Sequence, residues 1–248
     1  MAFLTIDHVS FHYHYQKQIL HQVNLEIKKG KFHCLLGRSG CGKTTLLKIV
    51  AGLLQPTKGM VYKDGVKVIQ PAYDSGFVFQ SPTLLEWKTV LDNLLLPISL
   101  KRKTTKDDRE RALALLQTMG MAGFENDYPT ELSGGQQSRV AIARALITNP
   151  SLLFLDEPFA ALDALTREEL QDDLLTLCRM YRTTVLFITH DIEEAVYLSD
   201  SLSVMQDGRV SVNLNNVLNK PRTASMRYDS AFSSLCRKLR EAIMGEKV

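Results

Sequence analysis

The sequence predicts an α/β fold with a mostly parallel core sheet, and three observations support this class. Four short runs are apolar at nearly every position, which is typical of strands that helices cover on both faces. A glycine-rich segment joins one of these runs to a helical stretch. Amphipathic helical patterns separate the other runs. The four apolar runs are residues 32–36, 77–79, 152–155 and 185–188.

The composition is that of a compact globular protein. The chain has 248 residues, of which 45% are hydrophobic and 23% charged, and these values exclude wholesale disorder and the fibrous classes. No apolar run approaches the roughly 18 residues of a membrane-spanning helix. Asp7 and His8 interrupt the region where a secretory signal needs an apolar core. We therefore expect a protein that neither crosses a membrane nor is exported.

The charge and the cysteine content indicate which partners and which redox environment the protein is expected to have. A net charge of +3 is too small to indicate a nucleic-acid-binding protein, and the basic excess is concentrated in the C-terminal tail. We interpret this tail as a solvated helix face, with binding to anionic lipid or a partner as the alternative. The four cysteines lie far apart without a CxxC pair, which favours reduced thiols over disulfides or a zinc site.

The N-terminal part of the chain is predicted to form a small antiparallel sheet. Residues 4–9, 23–27 and 59–68 are short segments in which apolar and polar side chains alternate. Lys-Gly and Asp-Gly pairs supply the turn residues that such strands need.

Helical patterns occupy most of the chain between Gln80 and Asp156, so a helical insertion is predicted to split the parallel sheet. Glycine after one helix and Asn-Pro after the other provide the stop signals. The two helices are expected at residues 107–119 and 136–147.

Two more helices are predicted after the insertion. The first covers residues 166–181, with leucines on one face. The second begins at Asp191, where Glu194 has the spacing that completes a capping box.

Each of the four apolar runs ends in a polar or glycine-rich group. These groups are Gly37, Gln80, Asp156-Glu157 and His190. Because the carboxyl ends of parallel strands share one edge of a sheet, the four groups are predicted to converge on one site.

The glycine-rich segment fits the pattern GxxxxGK[ST]. It follows a buried strand and precedes a helical stretch, which is the context that a phosphate-binding loop requires. Glycines let consecutive backbone N–H groups point at phosphates, a lysine adds charge and the threonine hydroxyl binds Mg²⁺. A glycine turn with a chance lysine does not account for this context. The residues are Gly37, Arg38, Ser39, Gly40, Cys41, Gly42, Lys43 and Thr44.

Two other polar groups have more than one explanation from the residues alone. Asp156-Glu157 after an apolar run is either a helix cap or a pair of carboxylates with separate roles. In the second case Asp156 lies beside a cation, and Glu157, which strand alternation points in a different direction, accepts a proton from an attacking water. The segment 132–136, Leu-Ser-Gly-Gly-Gln, is either an ordinary capped helix start or a second anion-binding turn.

Taken together, these motifs resemble those of the ATP-binding cassette (ABC) ATPases, and the similarity runs from about residue 4 to 210. It implies a P-loop NTPase with an ATP-binding domain at 1–220, a helical signature subdomain at about 81–150 and a basic helical tail at 221–248. The matching motifs are 37–44 (Walker A), Gln80 (Q-loop), 132–136 (LSGGQ signature), 152–157 (Walker B), 161–163 (D-loop) and His190 (switch histidine).

The resemblance also implies Mg-dependent ATP hydrolysis between two copies of the chain. ATP lies between the phosphate loop of one subunit and the signature of the other. Glu157 is implied as general base, His190 as a γ-phosphate contact, and Gln80 as a contact to Mg²⁺ and the attacking water. The implied metal ligands are Thr44, Gln80 and Asp156. The implied nucleotide contacts are the loop 37–44, Thr45, Tyr13 on adenine, Ser133, Gly134, Gly135 and Gln136 from the partner, and Asp163 across the interface.

The adenine assignment has an alternative. Phe11 and Tyr15 are predicted to share a strand face with Tyr13, so Tyr13 is also explained as a core or surface aromatic residue.

Two segments resemble one branch of the family, the nitrate, sulfonate and taurine importers, which also includes thiamine-precursor importers. They are residues 79–93, and 220–222 followed by a terminal helix containing Phe232, Leu235 and Leu239. This implies a homodimer at the cytoplasmic face of the membrane, bound to transmembrane permease subunits and served indirectly by an external solute-binding protein. Trp87 is explained equally well by permease docking and by packing.

Two other functions fit parts of the sequence. One is a soluble ABC ATPase that clamps nucleic acid or ribosomes, although such proteins usually carry two cassettes or a coiled-coil insertion. The other is a small-molecule phosphotransferase, which leaves the signature and Asp163 unexplained.

Overall fold

The computed structural model describes residues 2–13 and 18–244, and the chain divides into two compact units. The first unit combines the chain up to Tyr73 with the chain from Thr184 onward, and the second unit is Asp74–Thr183. Tyr15 lies outside the described residues. The predicted limits of the ATP-binding domain, its helical subdomain and the tail stay predictions.

The first unit contains the antiparallel sheet predicted near the N-terminus. Asp64 and Gly65 both have positive φ, 50° and 77°, as a tight two-residue hairpin requires. Its strands are β1 (Ala2–Phe11), β2 (Leu20–Lys28), β4 (Lys58–Lys63) and β5 (Val66–Lys67). Their order in the sheet is β2-β1-β4-β5.

The first unit also contains parallel strands, as the apolar runs predict. They are β3 (Phe32–Leu36), β8 (Thr184–Thr189) and β9 (Ser201–Gln206), to which β10 (Arg209–Asn215) adds antiparallel. Every residue of β3 and β8 is buried. Helices explain this burial, since α1 (Lys43–Val50) contacts β8, α6 (Ile192–Leu198) contacts β3, and α7 (Ser230–Met244) contacts β9.

The second unit combines two parallel strands with four helices. The strands are β6 (Ser75–Val78) and β7 (Leu152–Asp156). A Cβ atom on Gly76 would lie 2.5 Å from the Ala145 carbonyl oxygen, so glycine is what lets the helix carrying Ala145 pack against β6. The helices are α2 (Val90–Ser99), α3 (Lys106–Thr118), α4 (Gly134–Leu146) and α5 (Ala164–Tyr181).

The predicted fold class is confirmed, with parallel strands, an antiparallel β-part and a helical part. One local prediction is wrong: Asp191 caps α6, but Glu194 does not complete a capping box. Its carboxylate accepts a hydrogen bond from the Thr189 hydroxyl instead. Across residues 2–13 and 18–244, no helix combines the length and apolar character needed to cross a membrane.

Candidate functional site

The predicted phosphate loop connects β3 to α1 and has the backbone that its glycines suggest. Gly40 and Gly42 have φ values of 79° and 104°, and Gly42 is the N-cap of α1. At Gly37, a Cβ atom would lie 2.4 Å from the Met205 carbonyl oxygen and 2.7 Å from the Cys41 sulfur. A side chain at these positions would strain or displace the loop, so the glycines fix its shape.

Lys43 occupies the interior of this loop. Its side chain is buried, and Nζ donates hydrogen bonds to the carbonyl oxygens of Gly37 at 2.9 Å and Arg38 at 3.2 Å. A buried ammonium group is costly without partners, so these bonds hold the charge inside the loop. Arg38, Ser39, Gly40 and Thr44 are exposed, while Cys41, Gly42 and Thr45 are half-buried.

Cys41 is the one thiol in the phosphate loop. Burial raises its pKa, and the positive charge of Lys43 opposes this effect only in part. At neutral pH the side chain is therefore a protonated thiol that packs within the loop.

His190 follows β8 directly and is exposed. Thr189, the last residue of β8, pairs with Leu36, the last residue of β3, in the parallel register. The loop that begins at Gly37 and the turn that carries His190 therefore leave neighbouring strands at the same edge, as predicted for this pair.

Tyr13 is 37% exposed, and its ring meets Phe11 edge-on with ring centroids 4.8 Å apart. Tyr13 lies beyond the end of β1 at Phe11, so the two residues do not share a strand face as predicted, although their rings are in contact. Stacking of Tyr13 on adenine stays a prediction.

In the second unit, β7 ends in the two predicted carboxylates. Asp156 is buried, whereas Glu157 is half-buried and has a left-handed backbone, with φ of 47°. The sequence predicts different directions for the two side chains from strand alternation. Here β7 ends at Asp156, and the left-handed conformation redirects the chain at Glu157. Such conformations are uncommon outside glycine and cluster at functional sites.

Gln80 is exposed and follows β6. Val78 of β6 pairs with Leu155 of β7, so Gln80 and Asp156 lie at the same edge of this strand pair. The segment after Gln80 is anchored by Arg144 of α4, which donates to the carbonyl oxygens of Pro82 and Thr83, each at 2.9 Å. No motif or spacing in the sequence indicated this role of Arg144.

The signature segment forms the N-terminus of α4. Ser133 is the N-cap: its hydroxyl accepts from the Gln136 N–H at 3.3 Å, and the Gln136 side chain accepts from the Ser133 N–H at 2.8 Å. A Cβ atom on Gly135 would lie 2.8 Å from Thr166 Cγ2, whereas Gly134 faces open space. The capped helix start is therefore present, and anion binding there stays a prediction.

Asp163 is the N-cap of α5. Its carboxylate accepts from the Thr166 N–H at 3.1 Å, and this hydrogen bonding lowers the pKa of Asp163. The predicted coupling role across a dimer stays a prediction beside this capping role.

A polar cavity of about 910 Å³ opens beside the signature, between the end of α3, the start of α4 and α5. Arg139 lies at its wall and donates to the Met119 carbonyl oxygen, to Asp173 and to Glu169. These bonds tie α4 to both neighbouring helices, a role that the sequence did not indicate.

Trp87 is 75% exposed on a short turn that follows Gln80. The buried Asn93 side chain fixes this turn through hydrogen bonds to Leu85, Lys88 and Thr89 backbone atoms, all at 2.8 to 3.0 Å. Packing in the core therefore does not explain Trp87, and the rigid turn presents a large aromatic surface.

The chain is similar to proteins of known family. A family model described as ABC transporter matches residues 20–160. An aliphatic sulfonates import ATP-binding protein, SsuB of Bacillus thuringiensis, is 43% identical over 88% of this chain and 88% of its own length. A nitrate import ATP-binding protein, NrtD of Synechococcus elongatus, is 46% identical over 76% of this chain and 70% of its own length.

Solved structures agree with the sequence comparisons. A dimeric bacterial ABC transporter cassette, MJ0796, has a TM-score of 0.78 and 35% identity, covering 87% of this chain and 100% of that one. The structure of cbiO1 of Clostridium perfringens, part of the ABC transporter complex cbiONQ, has a TM-score of 0.81 and 27% identity, covering 98% of this chain and 97% of that one.

Proposed function

We propose that the chain, which belongs to the ABC transporter family, is the ATP-hydrolysing subunit of a membrane importer whose cargo is a small anion. The observation that carries ATP binding is the phosphate loop, in which glycines fix the backbone and Lys43 is held inside. Such a loop, opening directly into a helix N-terminus, suits the phosphates of a nucleotide.

The residues also suit the magnesium ion that accompanies ATP in such enzymes. A threonine hydroxyl, a carboxylate and an amide oxygen are hard oxygen ligands, which Mg²⁺ prefers. We assign these roles to Thr44, Asp156 and Gln80. When bound, Mg²⁺ neutralises negative charge on the phosphates.

The chain's own groups divide the remaining work. Lys43 and the loop N–H groups bind and orient the phosphates. This binding depends on the backbone shape that the glycines give to the loop. Glu157, at its left-handed turn, accepts a proton from the attacking water. His190 contacts the γ-phosphate and orients that water, and Gln80 contacts the water as well as the Mg²⁺. Tyr13 stacks on the adenine ring, and Thr45 contacts the α-phosphate.

The signature residues act in the partner copy's site. Ser133 and its neighbours offer backbone N–H groups at the start of α4, which is 13 residues long, and the positive end of a helix favours a phosphate. Two copies of the chain would therefore enclose two ATP molecules by a repeated, two-fold pairing. Asp163 lies close in sequence to Glu157 and is proposed to connect the two sites.

Transport needs transmembrane permease subunits, which are the proposed partners of the chain. The Trp87 turn is proposed as their docking surface, because an exposed aromatic residue on a rigid turn is typical of binding hot spots. Through them the chain is peripheral to the cytoplasmic face of the membrane. A solute-binding protein outside would deliver cargo without touching this chain.

Sulfonate and nitrate, the cargoes named for the relatives above, are anions, and this supports an anionic cargo. The nucleic-acid or ribosome clamp is not favoured, since the relatives are import proteins.

Reconstitution with the cognate permease and solute-binding protein in vesicles tests this function. We expect ATP-dependent uptake of one labelled anion from a panel of nitrate, bicarbonate and alkanesulfonates. Uptake of a thiamine precursor alone would overturn the cargo class but not the ATPase assignment. ATP hydrolysis that RNA stimulates and the permease does not would overturn the importer.

A further inference from the structure

The turn that carries His190 is fixed by a network of buried hydrogen bonds. The residues of this network have no role in the mechanism proposed above. Thr189 is 2% exposed and ends β8 directly before His190. Its hydroxyl donates to Glu194 Oε2 at 2.7 Å and accepts from the Asp191 N–H at 2.9 Å. The Thr189 hydroxyl, which precedes His190 in the sequence, is therefore bonded to two residues that follow it.

Glu194 belongs to α6 and is 6% exposed. A buried carboxylate is costly unless hydrogen bonds compensate, so its retention calls for a structural or functional reason. The Glu194 carboxylate also acts on Cys34 of β3. Burial raises the pKa of the Cys34 thiol, and the negative charge of Glu194 raises it further.

The start of α6 is held on its other side by Asp191. The Asp191 carboxylate accepts from the N–H groups of Glu193 at 2.8 Å and Glu194 at 3.1 Å. The residues on both sides of His190 are therefore tied to each other and to α6. The imidazole is exposed, but the backbone that aims it has little freedom.

We propose that Thr189 and Glu194 are positioning residues for His190, which hold its backbone so that the imidazole meets the γ-phosphate. The inference rests on the role proposed for His190 above. It explains why a carboxylate is buried at this point, where an apolar residue would pack at lower cost. Loss of the network would leave ATP binding by the Lys43 loop intact and lower the rate of hydrolysis.

The test is a double-mutant cycle in the complex with the permease. Thr189→Val removes the hydroxyl at nearly constant volume, and we expect kcat to fall by about tenfold with KM for ATP little changed. Thr189→Ser restores the hydroxyl and should restore kcat. In a His190→Ala background, Thr189→Val should have no further effect on kcat, because the residue acts only through His190. Glu194→Gln keeps an acceptor oxygen and should lose less activity than Glu194→Leu.

A matched control lies on the same strand. Thr184 is also buried in β8, and its hydroxyl accepts from the Gly30 N–H at 3.0 Å. Thr184→Val removes a comparable buried hydrogen bond at the opposite end of β8, so it should lower thermal stability to a similar extent and leave kcat unchanged. Equal losses of kcat in Thr184→Val and Thr189→Val would overturn the proposal.

The cycle separates two failures. If His190→Ala alone retains wild-type kcat, the proposed role of His190 is wrong. Suppose instead that His190→Ala strongly lowers kcat. If Thr189→Val then keeps wild-type kcat, or lowers kcat by the same factor with and without His190, the positioning inference fails and the role of His190 stands.

Discussion

Leu36 and Thr189 are paired at the last position of two adjacent parallel strands, β3 and β8. This pairing sets the phosphate loop and the His190 turn at one edge of the sheet in the first unit. In the second unit, Val78 at the end of β6 pairs with Leu155, which lies one residue before the end of β7. Gln80 and Asp156 therefore lie at one edge of this strand pair. In each unit, two predicted site groups thus lie at the carboxyl ends of neighbouring parallel strands. They are the phosphate loop and His190 in the first unit, and Gln80 and Asp156 in the second.

Lys43→Met should weaken ATP binding by about tenfold or more, because a charge-assisted hydrogen bond to phosphate is lost. Lys48→Met is the matched control, since Lys48 lies in the same helix but in its last turn. Equilibrium binding of ATP to the two variants checks this. Equal affinity in both would show that Lys43 only braces the loop through the Gly37 and Arg38 carbonyl oxygens.

Glu157→Gln should lower kcat by about 10²- to 10⁴-fold, the range expected for loss of a general base, while ATP binding is retained. The left-handed backbone at this residue is kept, because glutamine has nearly the same shape as glutamate. Phosphate release under saturating ATP is the measurement. Wild-type turnover would rule out Glu157 as the base.

Trp87→Ala should leave ATP hydrolysis by the isolated subunit unchanged and reduce the stimulation given by the permease by about tenfold or more, as expected for a hot-spot residue. Tyr228→Ala is a fair comparison because that ring is 87% exposed and lies elsewhere on the chain. Co-purification and permease-stimulated hydrolysis would be compared in both. Full stimulation of Trp87→Ala would exclude this turn as the docking surface.

Acid should destabilise the protein through His33. This buried imidazole bonds to the hydroxyls of Ser201 and Ser203, and burial lowers its pKa from 6.5 to about 4. Because the folded-state pKa is depressed, the neutral form stabilises the fold above pH 6.5, and that contribution is lost as the pH falls toward 4. The loss amounts to about 3 kcal/mol.

Urea unfolding of the wild type and of His33→Asn, at pH 7.5 and at pH 4.5, checks this expectation. Asparagine keeps polar atoms near the two serines but does not titrate, so the variant should lose less stability on acidification. The same loss in both proteins would show that other groups cause the acid sensitivity.

The sequence was most informative where one physical effect dominates. Phe32–Leu36 is apolar in all but one of its positions, which is typical of a doubly covered strand, and the structure confirms it as β3. The exception, His33, could not be placed from sequence, because its serine partners lie in β9, more than 160 residues away. β9 itself was missed, since its serines break the apolar pattern until that partnership is known.

Local rules failed where tertiary contacts compete with them. The spacing of Asp191 and Glu194 fits a capping box, yet the Glu194 carboxylate bonds to Thr189 on β8. Arg144 likewise bonds to Thr83, which lies far from it in sequence. Asn93 holds the Trp87 turn, whose residues show no recognisable pattern. The bonds made by these residues depend on contacts between segments, which the spacing within a motif does not specify.

The central claim is that ATP joins two copies of the chain through the Ser133 helix start. The most direct test measures the molar mass of Glu157→Gln with ATP by light scattering, with Ser133→Asp and Ser133→Asn added in that background. Both substitutions keep an N-cap for α4, but only aspartate sets a negative charge against the partner's γ-phosphate. We predict dimers for Glu157→Gln and for its Ser133→Asn variant, and an ATP-bound monomer for its Ser133→Asp variant. A Glu157→Gln protein that stays monomeric with ATP bound, or a Ser133→Asp variant that dimerises as well as Ser133→Asn, would contradict the claim.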